Sequence, residues 1–406
     1  MKTLFRMLAL ALACLLPAAV SLAEEDTVTI SVEEYERLQK YQRLEEALSL
    51  IETQYLWEYD ENVLLEGAMQ GLLGALGDDY TFYYTPADMS EETESVTGEY
   101  AGLGIEVFAN PNDLTITIKR VFYGGPAQQA GLRPSDKIVQ VNGQDVTAYE
   151  LNDAVSIMRG DPGTEVTLTI LRGTESFEVT CERAIVETEI MDYRMVGDDI
   201  AYLRLYYFEG NALEQLDNSI AYFQEQGVRA LVLDLRENPG GFMDMAVDIA
   251  DRFLDDALVL STEDKYGRRI EFYAEDGCWD VPIAVLIDEY TASSAEILAA
   301  ALRDNGAAKL VGTTSFGKGI VQTVYTFAED GAGMQLTSQY WLTPNDACIH
   351  EVGLEPDVEV VLVEDAIDEN FQFVPENDNQ LQAAVELLEA TLAEEGAAPC
   401  APVLAL

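Results

Sequence analysis

Between residues 201 and 303 apolar runs and helical periodicities alternate in order, and this alternation limits the fold more than any other feature of the chain. Residues 201–206 read as a strand, 213–225 as a helix and 230–235 as a buried strand. Gly240-Gly241 opens a helix that ends near Phe253, residues 282–287 form another apolar strand, and 294–303 another helix. Strands joined through helices pair side by side as parallel neighbours, so the segment predicts a largely parallel α/β core. A last helix, residues 380–392, precedes a short tail.

Upstream the periodicity differs. Residues 31–73 look helical: Ser31 and Glu34 have capping-box spacing, and Leu38, Tyr41, Leu44, Leu48, Ile51 and Tyr55 recur at steps of three and four. A second helix over 60–76 ends at Gly77, and the aromatic segment Tyr80-Thr81-Phe82-Tyr83-Tyr84-Thr85-Pro86 closes the helical character. These helices carry no chemistry and read as a packing or dimerisation arm. From Gly98 the chain turns to short strands, over 115–118, 137–141 and 166–171, with short helices over 127–130 and 150–158. Asn142-Gly143 is a hairpin turn signal.

Composition excludes several functions. The 406 residues hold 23 Lys+Arg against 74 Asp+Glu, a net charge of -51. Such a chain repels a phosphate backbone and anionic lipid, so nucleic-acid binding is not expected. His350 is the only histidine, which rules out a multi-histidine metal site. Cysteines at 14, 181, 278, 348 and 400 contain no C-x-x-C pair, so neither a zinc ribbon nor a thioredoxin motif is present. No metal or cofactor is implied. Lys2 and Arg6, the apolar run 8–20 and Ser21-Leu22-Ala23 have the layout of an export signal followed by an acidic mature chain. An uncleaved anchor, and so membrane association, is the alternative. Either way the rest of the chain is expected to work outside the cytoplasm, where disulfides are permitted.

Ile287-Asp288-Glu289-Tyr290-Thr291-Ala292-Ser293-Ser294-Ala295-Glu296 runs from an apolar strand through small residues into a helix. Ser293 stands where helix N–H groups favour developing negative charge. From this segment alone a plain helix cap is the favoured reading, and Glu296 suits both. A serine nucleophile needs a base. Lys318, in Gly312-Thr313-Thr314-Ser315-Phe316-Gly317-Lys318-Gly319-Ile320-Val321-Gln322, lies in a stretch without a single acid. A basic lysine must be neutral, which requires its pKa to fall from about 10.4 towards 7, roughly 4 to 5 kcal/mol of lost preference for the charge. Burial supplies that, and a nearby carboxylate opposes it. Gln322, four residues on, could orient Lys318 if the turn is helical or the strand bulged. The segment also mimics a P-loop, but Gly319 stands where the magnesium-binding Ser or Thr belongs. Gly240 and Gly241 let backbone N–H groups approach a ligand oxygen.

Asp234-Leu235-Arg236-Glu237-Asn238-Pro239-Gly240-Gly241 resembles the D-L-R-x-N-x-G-G signature of the C-terminal processing peptidases, or tail-specific proteases. Thr291-Ala292-Ser293-Ser294-Ala295-Glu296-Ile297 is similar to their nucleophile segment, with Thr291 in place of a usual Ser, and Phe316-Gly317-Lys318-Gly319-Ile320-Val321-Gln322 to their base segment. Tyr340-Trp341-Leu342-Thr343-Pro344 and Gly353-Leu354-Glu355-Pro356-Asp357 resemble their closing motifs. The resemblance implies an α/β multidomain protein with an N-terminal helical arm, a PDZ domain (small, β-barrel-like, with helices) and a protease core of the ClpP/crotonase-like type. It implies a signal peptide over 1–23, the helical region over 24–95, the PDZ domain over 96–184, the core over 185–364 and a C-terminal helix and tail over 365–406.

Carried over residue by residue, Ser293 is the nucleophile, Lys318 the base and Gln322 the residue orienting that base. Ser294 with Gly240 or Gly241 forms the oxyanion hole, and Asp234, Arg236 and Glu296 serve site architecture. Gly102, Leu103, Gly104 and Ile105 match the PDZ loop that receives a peptide carboxylate, and Arg159 is a candidate coupling residue at a helix end. The implied partners are proteins or peptides with free C-termini, and the implied assembly is compatible with a homodimer. A secreted, non-catalytic PDZ scaffold and a small-substrate Ser-Lys acyl hydrolase are the rival readings.

Overall fold

The computed structural model describes residues 29–90, 98–328, 330–368 and 372–397. The signal-like segment, Cys14 and Cys400 lie outside them. Cys181, Cys278 and Cys348 are free thiols. Among the described residues no helix is long and apolar enough to cross a membrane.

The chain divides into two compact units, one ending at Leu65 and the other beginning at Glu66. The first holds α1 (Val32–Gln39) and α2 (Gln42–Gln54), and the break falls within α3 (Glu61–Gly74). Ser31 caps α1 by accepting the Glu34 N–H at 3.1 Å. The long helix expected from residue 31 is therefore interrupted. The aromatic run from Tyr55 to Tyr59 is poor in helix formers, and the Asp60 side chain restarts the helix by accepting the Asn62 N–H at 2.9 Å. No residue of α1 or α2 is buried.

The second unit begins its strands with β1 (Phe82–Tyr84) and then builds a small sheet domain. Its elements are β2 (Glu99–Gly102), β3 (Ile105–Ala109), β4 (Ile116–Val121), α4 (Pro126–Gln129), β5 (Lys137–Val141), β6 (Gln144–Asp145), α5 (Leu151–Met158), β7 (Glu165–Arg172), β8 (Glu175–Glu182) and β9 (Ala184–Glu187). The sheet runs β3-β4-β5-β7-β8 with β6 on β5, and β2 pairs separately with β9. Asn142 and Gly143 both have positive φ, at 52° and 76°, as the expected Asn-Gly hairpin requires. Ile116, Ile118, Ile138, Leu168 and Ile170 fill its core.

The remaining elements are β10 (Met191–Val196), β11 (Ile200–Leu205), α6 (Ala212–Gln226), β12 (Ala230–Asp234), α7 (Met243–Asp251), β13 (Leu258–Asp264), β14 (Arg269–Tyr273), β15 (Ile283–Ile287), α8 (Ser294–Asp304), β16 (Ala308–Gly312), β17 (Ile320–Thr326), β18 (Gly333–Leu342), β19 (Val358–Glu359) and α9 (Asn379–Ala397). The main sheet runs β10-β11-β12-β15-β16-β19 and is parallel from β11 onward, as the alternation predicts. Its strands read as unbroken apolar runs because both faces are covered. Leu203, Leu231, Leu233 and Val285 pack with α6, α7 and α8, whereas Tyr202, Val232, Ala284 and Leu286 pack with Leu381, Ala384 and Leu388 of α9. A second, antiparallel sheet, β1-β18-β13-β14 with β17 on β18, was not expected. It gives the aromatic segment at 82–84 a place as a strand, paired Phe82 to Gln335.

Candidate active site

β12 and β15 are parallel neighbours, with Asp234 opposite Leu286. The loops that leave their carboxyl ends therefore emerge side by side, where open α/β sheets bind ligands. One loop carries Gly240-Gly241 and the other Ser293.

The Ser293 loop is tied down by Asp288. Its carboxylate accepts the N–H groups of Tyr290 at 3.1 Å and Thr291 at 3.0 Å, and that of Glu237 across the gap at 3.0 Å. Burial pushes its pKa up, and these donors counter the shift. The Thr291 hydroxyl sits 2.9 Å from the Leu235 carbonyl. Ser293 then takes φ 55° and ψ -119°, unlike the extended cap at Ser31 (φ -68°, ψ 157°). A non-glycine residue held at positive φ at a strand–helix junction is the strained setting of a nucleophile elbow. The backbone at Ser293 thus departs from that of an ordinary cap, although Ser293 and Glu296 keep a capping-box arrangement, with the Glu296 carboxylate on the Ser293 N–H.

Asn238 organises the opposite loop and was not singled out from the sequence. Its Oδ1 accepts the Gly240 N–H at 2.8 Å, an Asx turn, and its Nδ2 donates to the Leu205 carbonyl at 2.8 Å. Its own carbonyl accepts the Ala292 N–H at 2.9 Å. The Gly240 N–H is thereby occupied. The Gly240 carbonyl accepts from the Phe208 N–H at 2.9 Å, and the Ser294 hydroxyl donates to the Gly241 carbonyl at 2.8 Å. Among the described residues no hydrogen bond takes the N–H of Gly241 or of Ser294. Gly240 must be glycine: at φ 100° a Cβ would lie 2.8 Å from the Ser293 Cβ and 2.9 Å from the Ser294 nitrogen.

Glu296 joins α8 to the loop that carries Lys318. Its carboxylate accepts the N–H groups of Ser293 at 2.9 Å, Gly317 at 2.7 Å and Lys318 at 2.8 Å, and the Ser315 hydroxyl at 2.6 Å. Burial raises its pKa, opposed by these donors. The Lys318 carbonyl is held by the Trp341 Nε1–H at 2.9 Å, and its ammonium stands 4.7 Å from the centre of the Tyr80 ring. Burial lowers the Lys318 pKa, while the charges of Glu296 and Asp78 pull it back up. The acid-free stretch around Lys318 is therefore not acid-free in space: folding brings in carboxylates from α8 and from the segment before β1. The burial effect is the larger. Gln322 follows a bulge in β17, between Val321 and Gln322, and its Nε2 is buried without a partner among the described residues.

Ser293, Lys318 and Gln322 line one cleft of about 300 Å3, together with Gly241 and Ser294. Apolar walls come from Phe242, Met243, Ile297, Ile320 and Trp341. Asp234 and Arg236 do not line it. Arg236 is buried between Asp234 at 2.6 Å and Asp378 at 2.8 Å, which clamps the end of β12 to the start of α9. Asp234 is held down to about pH 2 against full burial by Arg236 first, then Arg204 and the Tyr202 hydroxyl. His350 lies beside the Tyr340 ring, 5.9 Å between centres, and does not line the cleft.

In the small sheet domain Gly102, Leu103, Ile105 and Arg159 line a separate groove of about 220 Å3, walled by Val107, Val155 and Met158. Lys119 of β4 reaches across to Glu237, three residues before Gly240, at 3.4 Å, and Arg204 of β11 holds the same carboxylate at 2.9 Å.

Family models agree with this arrangement. Residues 199–360 match peptidase family S41, residues 117–172 a PDZ domain, and residues 15–93 the activating protease CtpB N-terminal domain. The chain is 34% identical over 333 residues to a carboxyl-terminal-processing protease of Synechocystis, covering 80% of this chain and 77% of that protein. It is 33% identical to a CtpA-like serine protease of Staphylococcus haemolyticus, covering 79% of this chain but only 65% of that protein's length. The solved photosystem II D1 C-terminal processing protease shares the fold with a TM-score of 0.51 at 24% identity, covering 86% of this chain and 96% of that one. The two loops at the ends of β12 and β15, the PDZ domain beside them and these relatives together place the chain in the family of carboxyl-terminal-processing peptidases, serine-type hydrolases with a PDZ domain.

Proposed function

We propose that the chain is an extracytoplasmic endopeptidase that captures free protein C-termini in its PDZ groove and cuts peptide bonds with Ser293 and Lys318. The observation that carries this reading is the common cleft: Ser293 on its strained turn, the half-buried Lys318, and Gly241 and Ser294, whose N–H groups take no hydrogen bond among the described residues, line the same space. Neutral Lys318 takes the Ser293 proton as Oγ attacks the carbonyl carbon. The N–H groups of Gly241 and Ser294 receive the oxyanion. The C–N bond breaks as Lys318 returns the proton to the leaving amine, which leaves an acyl-enzyme. Water, deprotonated by Lys318, then attacks the ester carbonyl; the C–Oγ bond breaks as Lys318 returns that proton to Oγ, which frees the acid product and restores Ser293 and neutral Lys318. Gln322 is proposed to hold Lys318 towards Ser293 through its side-chain amide. The export-signal layout of residues 1–23 supports the location, and the helical arm is proposed for packing or self-association.

A test protein with an unstructured tail separates this reading from its rivals. Cleavage is expected from the intact chain and not from Ser293→Ala or Lys318→Ala. Retained cleavage by a folded Lys318→Ala protein overturns the dyad. Hydrolysis of small esters without any cleavage of tailed proteins favours an acyl hydrolase.

A further inference from the structure

Tyr80 stands beside Lys318 and has no part in the chemistry proposed above. It lies in the turn before β1, far from Lys318 in the chain, and that turn is held at several points. The Asp78 carboxylate accepts the Tyr80 N–H at 3.0 Å and the Thr81 hydroxyl at 2.6 Å. The Tyr80 carbonyl accepts from the Gln335 side chain at 3.1 Å, and the Thr81 hydroxyl accepts the Thr337 N–H at 3.0 Å. Thr337 is the residue opposite Gln322 in the β17–β18 register. Tyr80 is thus anchored to the strand that pairs with β17, and its ring meets the Lys318 ammonium 4.7 Å from the ring centre. Among the described residues no hydrogen bond or ion pair engages that ammonium. Both Glu296 oxygens are occupied by other donors.

We propose that Tyr80 is a positioning residue for the base, its ring face holding the Lys318 side chain whenever that side chain carries a proton. This rests on the reading that Lys318 is the base. The face of an aromatic ring attracts an ammonium and has no comparable attraction for a neutral amine. The contact therefore acts on one protonation state alone. In the proposed cycle that state begins when Lys318 takes the Ser293 proton and ends when the leaving amine receives it. The ring favours the charged form, as do Glu296 from α8 and Asp78 from the same turn as Tyr80. Asp79 adjoins Tyr80, Glu209 lines the cleft with Lys318, and the His350 main chain packs on Gly319. All of these groups stay in place when the ring alone is removed, so the ring's share can be read separately.

The test compares Tyr80→Phe, which keeps the ring, with Tyr80→Leu and Tyr80→Met, which remove it; two ring-free variants guard against a folding defect in one. The full chain is labelled with 13C at the lysine ε-carbons, and the Lys318 signal is identified by its absence in Lys318→Arg. The titration midpoint of that signal is expected to fall by about half to one pH unit in the ring-free variants and to stay close to the native value in Tyr80→Phe. The rising limb of kcat/KM against pH, measured on a test protein with an unstructured tail, is expected to move by the same amount in the same variants. An unmoved Lys318 midpoint in a folded ring-free variant, or an equal fall in Tyr80→Phe, overturns the proposal. A midpoint that moves while the kinetic limb stays put shows that Lys318 is not the base, and the proposal falls with that reading.

Discussion

The Glu296 carboxylate accepts the backbone N–H of Ser293 at 2.9 Å and that of Lys318 at 2.8 Å, so one side chain sets Ser293 and Lys318 relative to each other. Both bonds go to main-chain groups, which fixes the two loops without engaging the side chains of the proposed nucleophile and base.

Glu296→Gln separates this bridging role from the electrostatic one. The Glu296 charge favours the ammonium form of Lys318. In the proposed mechanism Lys318 acts as a neutral base, so activity is expected to rise with pH through the lysine pKa. Removing the charge lowers that pKa, and the rising limb of kcat/KM against pH is expected to move to lower pH. The amide offers one acceptor where the carboxylate offered two, and loss of bonds to buried donors should cost about 1–3 kcal/mol of stability. A pH–rate profile with an unmoved limb would show that Glu296 acts on the loops alone.

Asn238→Ala frees the Gly240 N–H and removes the tie to Leu205. The Pro239–Gly240 peptide then loses its fixed orientation, and the adjoining Gly240–Gly241 peptide keeps only the bond from the Phe208 N–H to its carbonyl. A fall in kcat of about tenfold to a hundredfold with little change in KM is expected, in keeping with a misplaced transition-state donor. Asn238→Ser, whose hydroxyl can still accept from the N–H two residues on, should recover part of the loss. Steady-state kinetics on the two variants decide this; equal losses in both argue against the Asx turn.

Gly240→Ala places a methyl group against Ala292, Ser293 and Ser294 at a backbone φ of 100°. Cleavage should be abolished, with a drop in unfolding free energy of about 2 kcal/mol or more. A well-folded, active Gly240→Ala protein would mean that the loop can open freely.

Asp234 gives the fold an acid limit. Its folded pKa, about 2, lies below the ordinary 3.8. A depressed carboxylate contributes stability above its unfolded pKa and loses it as pH falls through the folded one. About 2 kcal/mol should vanish between pH 4 and pH 2. Urea titrations across that window should show it, and Asp234→Asn should flatten the slope.

The parallel core was legible because strands covered on both faces are continuous apolar runs. The second sheet was not, because β14 and β17 are partly exposed and show no clean alternation. Ser293, Lys318 and Gln322 were found through motif order, and folding brings all three to one cleft. Asn238 and Asp288 were missed as site residues because their partners, Leu205 and Glu237, are 33 and 51 positions away in the chain. The Asn-Pro-Gly sequence was the available signal for the first. The carboxylates near Lys318 were missed for the same reason: local composition does not report what α8 and the segment before β1 bring in.

The Arg236 clamp makes the end of β12 depend on a distant stretch of chain. Asp378, one of its two carboxylates, stands 142 positions after Arg236. A chain truncated after Pro375 leaves the buried guanidinium short of a partner, so the loop that follows β12 should loosen and cleavage should be lost. Measurable turnover by that truncated chain would show that the loop holds its shape without the clamp.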